Sequence, residues 1–415
     1  METGAGETRT AGVHAIQVRP VSSKREKGLF VRLSWRLYRG DPNWVPPLLS
    51  DIHATVWGAG SWFQKAGPSQ VFLAWPVRPV GRGSSGRGAP VGRIAVVIDR
   101  RLNERKGTKL AHLTLFETIE DYDVAEALFD AACSWARDQG MEDIRGPISP
   151  SNGDDYRALL VEGFDSPPVL MDSYNPPFYM DFFERYGFVK EADLWAFHYD
   201  IKNIPDRFER LADYAMRKFH FRVDPVDLSQ MEREVRAIKE ILDQAIPEEW
   251  YDMVPPTLDE VREMGMKLKP LAVPDFILIA RAVEKAGAPQ TGKGAVPDAL
   301  GRPIGFLVGM PNYNQALKHL NGRLFPLGWL KFMWYRRRID SGRIFILFVT
   351  PEYRKKGVTG AMFMKCLLAG KRLGYRWGEG STIGETNTFM VRDAEGAGGR
   401  HYKTYRMYRR QLLPE

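Results

Sequence analysis

Residues from about 17 to 163 and from about 222 to 398 carry the same signals in the same order, so any fold of this chain must accommodate two copies of one module. QVRPVSSKRE (Gln17–Glu26) is matched by RVDPVDLSQME (Arg222–Glu232). Each reads as a short strand followed by Ser-x-x-Glu, Ser23/Glu26 and Ser229/Glu232, a capping box that opens an amphipathic helix. VPPLLSDI (Val45–Ile52) answers to VPPTLDEV (Val254–Val261), and the strands VFLAW (Val71–Trp75) and FILIA (Phe276–Ala280) follow in turn. Each copy then has a Gly/Pro-rich stretch, Val77–Gly92 or Gly287–Pro303, that reads as a long hairpin tip before the next strand. Further on, Phe129 and Phe363, Gly140 and Gly374, and Gly146 and Gly380 each lie 234 positions apart. A last pair of segments sets Asn152 on Asn387 and Gly163 on Gly398, 235 apart.

The module predicted is strand, helix, helix, three strands, helix, strand, helix, strand. That is an α/β (α+β) pattern with a mostly antiparallel mixed sheet flanked by helices. The chain divides into a disordered N-terminus (1–12), a first module (13–202, flexible tip 77–92) and a second module (203–415, flexible insertion 284–302). Hydrophobic residues make up 44% of the chain, enough for a large core. No apolar run reaches a spanning length, and the N-terminus has no apolar signal core. Only Cys133 and Cys366 are present, both in apolar helical patterns, and they read as packing thiols in a reducing compartment. A cytoplasmic protein is expected.

The chemistry concentrates in VTPEYRKKGVTGAMF (Val349–Phe363), a strand end, a basic turn with Gly357 and the start of a helix. Backbone N–H groups from Lys355 through Lys356, Gly357, Val358 and Thr359 to Gly360 would converge on an anion at the helix N-terminus, with Arg354 beside them. The same register in the first copy inverts the charge. Glu120 falls on Arg354, Asp121 on Lys355 and Asp123 on Gly357, so the first copy is not expected to hold that anion. Its role would be to complete a cleft between the modules. The net charge of +8 suits phosphate ligands, anionic membranes or nucleic acid.

A strand ending in VTPEYRKKG, opening a helix, with a later strand ending near Asn387, resembles the GCN5-related N-acyltransferase superfamily. The signature Arg-x-x-Gly-x-Gly/Ala is met by Arg354 and Gly357, with Thr359 in the last place and Gly360 one step late. The resemblance implies that the anion is the diphosphate of coenzyme A, with acyl-CoA as co-substrate and no metal. It further implies that the thioester carbonyl is polarised by the fourth strand's backbone near Phe348, Val349 and Thr350, and that the pantetheine arm lies between the fourth and fifth strands. The helix tyrosine that many members use as an acid is replaced by Ala394, with Leu159 as its counterpart in the first copy. Glu385 is the first candidate for a base, beside Asn387, with His401, Glu379 and Tyr402 behind it. Glu385 could equally pair with Arg392, Arg400 or Arg406.

Polar clusters around Asn312, Tyr313, Asn314, Asn152, Tyr174 and Asn175 read either as turns or as hydrogen-bonding groups for an amino alcohol. Arg323–Ile339 mixes Trp329, Phe332, Trp334 and Tyr335 with Lys331 and Arg336–Arg338. This is the composition of a segment at an anionic lipid surface, or of a buried helix with a basic end. With DPNWVPPL and GFDSPPVLMDSYNPPFY, it gives the chain a resemblance, from about Arg32 to Leu413, to the bacterial ceramide synthase family. That resemblance implies an acyl-CoA-dependent N-acyltransferase acting on a long-chain amine lipid, peripheral on the cytoplasmic membrane face. A soluble acetyltransferase and a nucleic-acid-binding regulator are the alternatives. The basic residues are spread rather than striped, so no nucleic acid is expected as a partner.

Overall fold

The computed structural model describes residues 15–58, 60–77, 88–148, 157–246, 254–283 and 300–412. The N-terminus 1–12, most of the tip 77–92, most of the insertion 284–302, and Asn152 lie outside the described residues. In the first half, β1 (Ile16–Pro20) leads into α1 (Lys24–Arg32). The capping box forms there as read: the Glu26 amide donates to Ser23 Oγ (3.2 Å) and the Ser23 amide to Glu26 Oε2 (3.1 Å). Helices α2 (Ser34–Leu37), α3 (Leu49–Trp57) and α4 (Trp62–Ala66) precede β2 (Ser69–Pro76) and β3 (Gly92–Ile98). Next come α5 (Arg100–Lys106), β4 (Leu110–Thr118), α6 (Tyr122–Asp138) and β5 (Asp143–Gly146). The half closes with β6 (Leu159–Glu162), α7 (Phe178–Arg185) and β7 (Val189–Asp200).

The second half opens with α8 (Asp206–Lys218), β8 (Phe221–Pro225), α9 (Met231–Ala245) and α10 (Leu258–Leu268). The capping box expected at Ser229/Glu232 does not form. Asp227 takes the Ser229 amide (2.9 Å) and opens a short 3-10 turn, and Glu232 pairs with Arg262 (2.9 Å). The reciprocal cap sits instead at Thr257 and Glu260, on α10. Strands β9 (Ile277–Ala282) and β10 (Pro303–Pro311) follow, then α11 (Asn314–Leu317) and α12 (Gly328–Arg336). The chain ends through β11 (Ser341–Val349), α13 (Val358–Arg372), β12 (Trp377–Gly384), α14 (Thr388–Gly396) and β13 (Arg400–Gln411).

All the strands join one sheet in the order β1-β2-β3-β4-β5-β13-β7-β12-β11-β10-β9-β8, with β6 paired to β13. The halves exchange their last strands. β7 of the first half pairs with β12 of the second, β13 pairs with β5 of the first, and β7 and β13 form the central antiparallel ladder from Arg400↔His198 to Arg409↔Val189. Among the described residues, only β4/β5 and β11/β12 run parallel. The sequence boundary at 202/203 falls after β7, yet β7 is built into the sheet of the second half.

Strand alternation sorts the second half's side chains into two layers. Leu278, Ala280, Ile304 and Ile344 pack under α13 through Val358, Ala361, Met362 and Cys366. Ile277, Ile279, Phe306 and Val308 face α9 and α10 through Val235, Leu242 and Val261. Cys133 and Cys366 are buried free thiols, and burial alone pushes the Cys366 thiol up to about 12.

The repeat registers differ from the reading in two places: after β6, and in β4 and β11, which the equivalent pairs Ala111↔Ile144 and Gly342↔Gly378 set 231 rather than 234 apart. Gly140 and Gly374 end α6 and α13 in left-handed conformation (φ 77° and 83°), as the 234 spacing requires. Gly398 (φ 89°) ends α14 and leads into β13, and the residue doing this in the first half is Gly187 (φ 91°), 211 positions earlier. Gly163 follows β6, a strand inserted in the first half between β5 and α7. The first-half counterpart of Ala394 is therefore Phe183 on α7, not Leu159.

Candidate functional site

Strands β11 and β12 hold together from Ser341↔Trp377 to Ile344↔Gly380 and then part. β11 continues on β10 to Val349, whereas β12 stays on β7. The β10/β11 register slips between Val308 and Gly309, leaving Phe345 as a bulge at the point of divergence. Beyond it the Thr350 amide donates to Ile304 O (2.9 Å), so Thr350 and Phe348 are in hydrogen-bonded pairs with β10. By alternation the N–H and C=O of Leu347 and Val349 point the other way, into the opening. Val349 O accepts from Arg354 Nε there (3.3 Å). Of the expected carbonyl-polarising stretch, Val349 faces the opening. The amides of Phe348 and Thr350 face β10, and Leu347 takes their place.

The loop after β11 turns through Lys355 (φ 63°) and Gly357 (φ 76°), the N-cap of α13, and no side chain caps that helix. A Cβ on Gly357 would lie 2.7 Å from that of Ala215 on α8, so both conformation and space require glycine. A Cβ on Gly360 would meet nothing within 4 Å. Arg354 Nη2 donates to Ala245 O at the end of α9 (2.7 Å), which ties the loop to that helix. Lys355 Nζ lies 5.0 Å over the Phe389 ring and Lys356 Nζ 4.5 Å over that of Tyr353. Val358 is buried beneath the turn and anchors it.

A cavity of about 1090 Å³ runs from Arg354, Lys355, Thr359 and Gly360 through the β11/β12 opening and beneath α9 and α10, and also passes Ala192, Leu194 and Met407 to the first half's His112 and Arg145. Its walls beneath α9 and α10 are apolar, with Val235, Ile238, Leu242, Val261, Met264 and Phe306. The buried Glu234, paired with Arg281 (2.7 Å), also borders it.

Beside the apex of the opening lies a buried polar cluster. Arg343 Nε donates to Ser381 Oγ (2.7 Å), and Ser381 Oγ and the Tyr402 hydroxyl both donate to Glu379. Arg343 also reaches Asp172 (2.7 Å) and Leu170 O (2.6 Å) in the first half, and Tyr405 donates to Asp172 (3.1 Å). Burial raises the Asp172 carboxyl well above its usual range, against the pull of Arg343, and lowers the Lys403 ammonium.

The first half has a corresponding opening, which aromatic rings fill on the α6 side, while His112, Arg145 and Ile148 border the cavity on the other. β4 and β5 part after His112↔Arg145. The Ile148 amide donates back to Leu113 O (2.8 Å), and the Tyr179 hydroxyl both accepts from the Thr118 amide (2.7 Å) and donates to Thr118 O (3.0 Å). Phe116 stacks on Phe129 at 4.7 Å and meets Tyr179 and Phe183 edge-on at 5.0 and 5.3 Å. Asp121 caps α6 by accepting from the Asp123 amide (3.0 Å). In the 234 register α6 starts two residues earlier than α13, so Asp123 lies in the first helical turn rather than at a glycine-like bend.

The remaining candidates divide sharply. Asn387 caps α14 through the Met390 amide (3.3 Å) and borders the cavity. Glu385 is held by Lys190 (2.8 Å) and the Asp193 amide (3.1 Å) and lies outside the cavity lining; Arg406 instead binds Asp193. His401 stacks on Trp195 (5.0 Å) and bonds Thr404 Oγ1 (3.0 Å), also away from it. None of the described amino-alcohol candidates reaches the cavity, because backbone groups, one hydroxyl and one carboxylate already occupy them. The Asn312 amide spans Leu170 N and Ser341, Tyr313 OH donates to Leu271 O, and Asn314 holds Pro168 O and Val169 O. Asn175 brackets Leu160, and Tyr174 OH donates to Asp41. The reading missed Ser381, Arg343 and Asp172. Glu379 and Ser381, two apart in a glycine-rich strand, were the available signal for a polar face.

No family model matches the sequence. Protein YghO of Escherichia coli (strain K12) is 31% identical over 407 residues, 95% of each chain. The bacterial ceramide synthase of Caulobacter vibrioides is 29% identical over 406 residues, 96% of this chain and 98% of that one. Among solved structures, a tandem GNAT protein from the clavulanic acid biosynthesis pathway superposes with a TM-score of 0.52 at 12% identity, covering 97% of this chain and 100% of that chain. The N-acetyltransferase region of a fungal multi-domain β-N-acetylglucosaminidase gives 0.55 at 17% identity, covering 96% of this chain and 38% of the longer one.

Proposed function

The chain belongs to the family of Protein YghO of Escherichia coli and has the fold of tandem GNAT proteins, and from that premise we propose that it transfers a long-chain acyl group from acyl-CoA to the amine of a sphingoid-base-like lipid. The observation that carries this reading is the single cavity that joins the α13 loop to an apolar space under α9 and α10. At about 1090 Å³ it exceeds a drug-sized pocket of roughly 300–1,000 Å³. An acetyl group would leave most of its apolar wall without a partner, whereas a fatty acyl chain would cover it.

In this reading the diphosphate binds the uncapped amides at the start of α13, with Lys355 and Lys356 supplying charge. The pantetheine arm fills the β11/β12 opening, where extended amide groups meet the Leu347 and Val349 backbone. The Leu347 N–H, the nearer of the two to the apex, then stabilises charge developing on the thioester oxygen.

Helix α12 supports a lipid acceptor. None of its residues is buried, and Phe325, Leu327, Trp329, Leu330, Met333 and Trp334 are 45–75% exposed. Phe332 and Tyr335 hold it to Tyr313 and His319, while Arg338 lies 3.5 Å over Trp334. An exposed aromatic face beside Arg337 and Arg338 suits peripheral contact with an anionic membrane. No helix among the described residues is long and apolar enough to cross one.

The test is thiol release from acyl-CoAs of two to eighteen carbons, with and without sphinganine. Release that requires sphinganine and rises with chain length is expected. Turnover confined to acetyl-CoA with small amines would overturn the reading.

A further inference from the structure

We propose that Ser381 and Glu379, steadied by Tyr402, form the path that takes the proton from the attacking amine. This rests on the acyl-transfer reading above. Ser381 is the first residue of β12 beyond its last pair with β11, which puts it at the apex of the opening where a thioester would sit. It borders the cavity although it is only 5% exposed. Glu379, two residues earlier, projects from the same face of the strand and is 1% exposed.

The hydroxyl has the right bonds already made. Ser381 Oγ gives its proton to one Glu379 oxygen and accepts from Arg343 Nε at 2.7 Å, which leaves one lone pair for an incoming N–H. Tyr402 donates to the second Glu379 oxygen, so the carboxylate is fixed from both sides. Arg343 is in turn clamped by Asp172 and Leu170 O, both from the first half. The path therefore exists only when the two halves meet, and it is held rigidly before substrate arrives.

The step balances without another reactant. The nitrogen lone pair forms the C–N bond, and the carbonyl π pair moves onto the oxygen that the Leu347 amide faces. The ammonium proton passes to Ser381 Oγ as the hydroxyl's own proton passes to Glu379. When the C=O bond re-forms, the C–S pair leaves with sulfur, and Glu379 returns the proton to that thiolate through the same hydroxyl. Glu385, fastened to Lys190 outside the cavity lining, is excluded from this route.

The test uses Ser381→Ala, Ser381→Thr and Glu379→Gln in the full chain, reading acyl-CoA affinity, kcat and its pH profile. Ser381→Ala and Glu379→Gln should keep acyl-CoA affinity within about threefold and lose roughly 100-fold or more in kcat at neutral pH. Their residual rate should climb with pH across the range where the wild type is level, because the proton on the tetrahedral ammonium must then leave to solvent hydroxide. Ser381→Thr, which keeps the hydroxyl, should recover most of the rate. Unchanged kcat, an unchanged profile, equal loss in the Thr and Ala variants, or affinity lost in step with turnover would each overturn the proposal. A wild-type chain that turns over no acyl-CoA and amine pair would overturn the acyl-transfer reading and this proposal with it.

Discussion

The opening between β4 and β5 and the opening between β11 and β12 begin alike and end differently. Each starts where a short parallel pairing gives out, after His112↔Arg145 in one half and Ile344↔Gly380 in the other. In the first half, Phe116, Tyr179 and Phe183 fill the gap, and Asp121 takes an amide at the start of the helix behind it. In the second half, Leu347 stands in the position of Phe116 and Ala394 in that of Phe183, and the helix starts from a bare Gly357. The difference is one of side-chain volume and one carboxylate, within the same backbone plan. On the α6 side aromatic rings turn the first opening into core, each contributing roughly 1.5–3 kcal/mol of burial, while the smaller residues of the second leave a cavity whose walls are satisfied only by a ligand.

Transplanting the first half's residue into the second should break the contrast most severely. Ala394→Phe places a ring in the wall of the cavity, and acyl-CoA turnover should fall at least about 100-fold while far-UV circular dichroism stays native. The reverse change separates stability from activity. Phe183→Ala removes a fully buried ring and should cost about 3–5 kcal/mol in denaturant unfolding, yet create no second acyl-CoA site. A subtler probe is Gly360→Asp, because the added carbon meets nothing within 4 Å. A carboxylate in the first turn of α13 should stabilise the helix by about 0.3–1 kcal/mol while weakening acyl-CoA binding by roughly tenfold, so affinity and stability move in opposite directions. Smallest of all, Asp123→Gly should lower stability by about 1 kcal/mol or less and leave turnover within about twofold. Turnover falling as far with Asp123→Gly as with Gly360→Asp would show that the two halves do not differ as argued.

The sequence was most readable where causes are local. The turn at Gly357, the cap at Ser23 and Glu26, and the helix-ending Gly140 and Gly374 each depend on a few neighbouring residues, and the structure has them as read. The α/β plan with a mostly antiparallel sheet followed from the same signals. The cap at Ser229 failed because Asp227, two residues away, competes for the same amide. What was not legible depends on partners far along the chain. Asn314 is spent on carbonyls 146 and 145 residues away, and Arg343 on a loop 173 residues away. Glu385 meets Lys190 across the exchanged strand β7, an arrangement that no local pattern announces. The inserted strand β6 likewise displaced the repeat register, and that moved the counterpart of Ala394 from Leu159 to Phe183.

The central claim is that acyl-CoA binds at the α13 loop alone. Calorimetric titration of the full chain with a non-reactive long-chain acyl-CoA thioether tests it directly, alongside the Gly357→Asp variant. The account predicts one molecule bound per chain, and none detectable once a carboxylate faces the diphosphate at position 357. Two molecules per chain, or binding that survives Gly357→Asp, would contradict it.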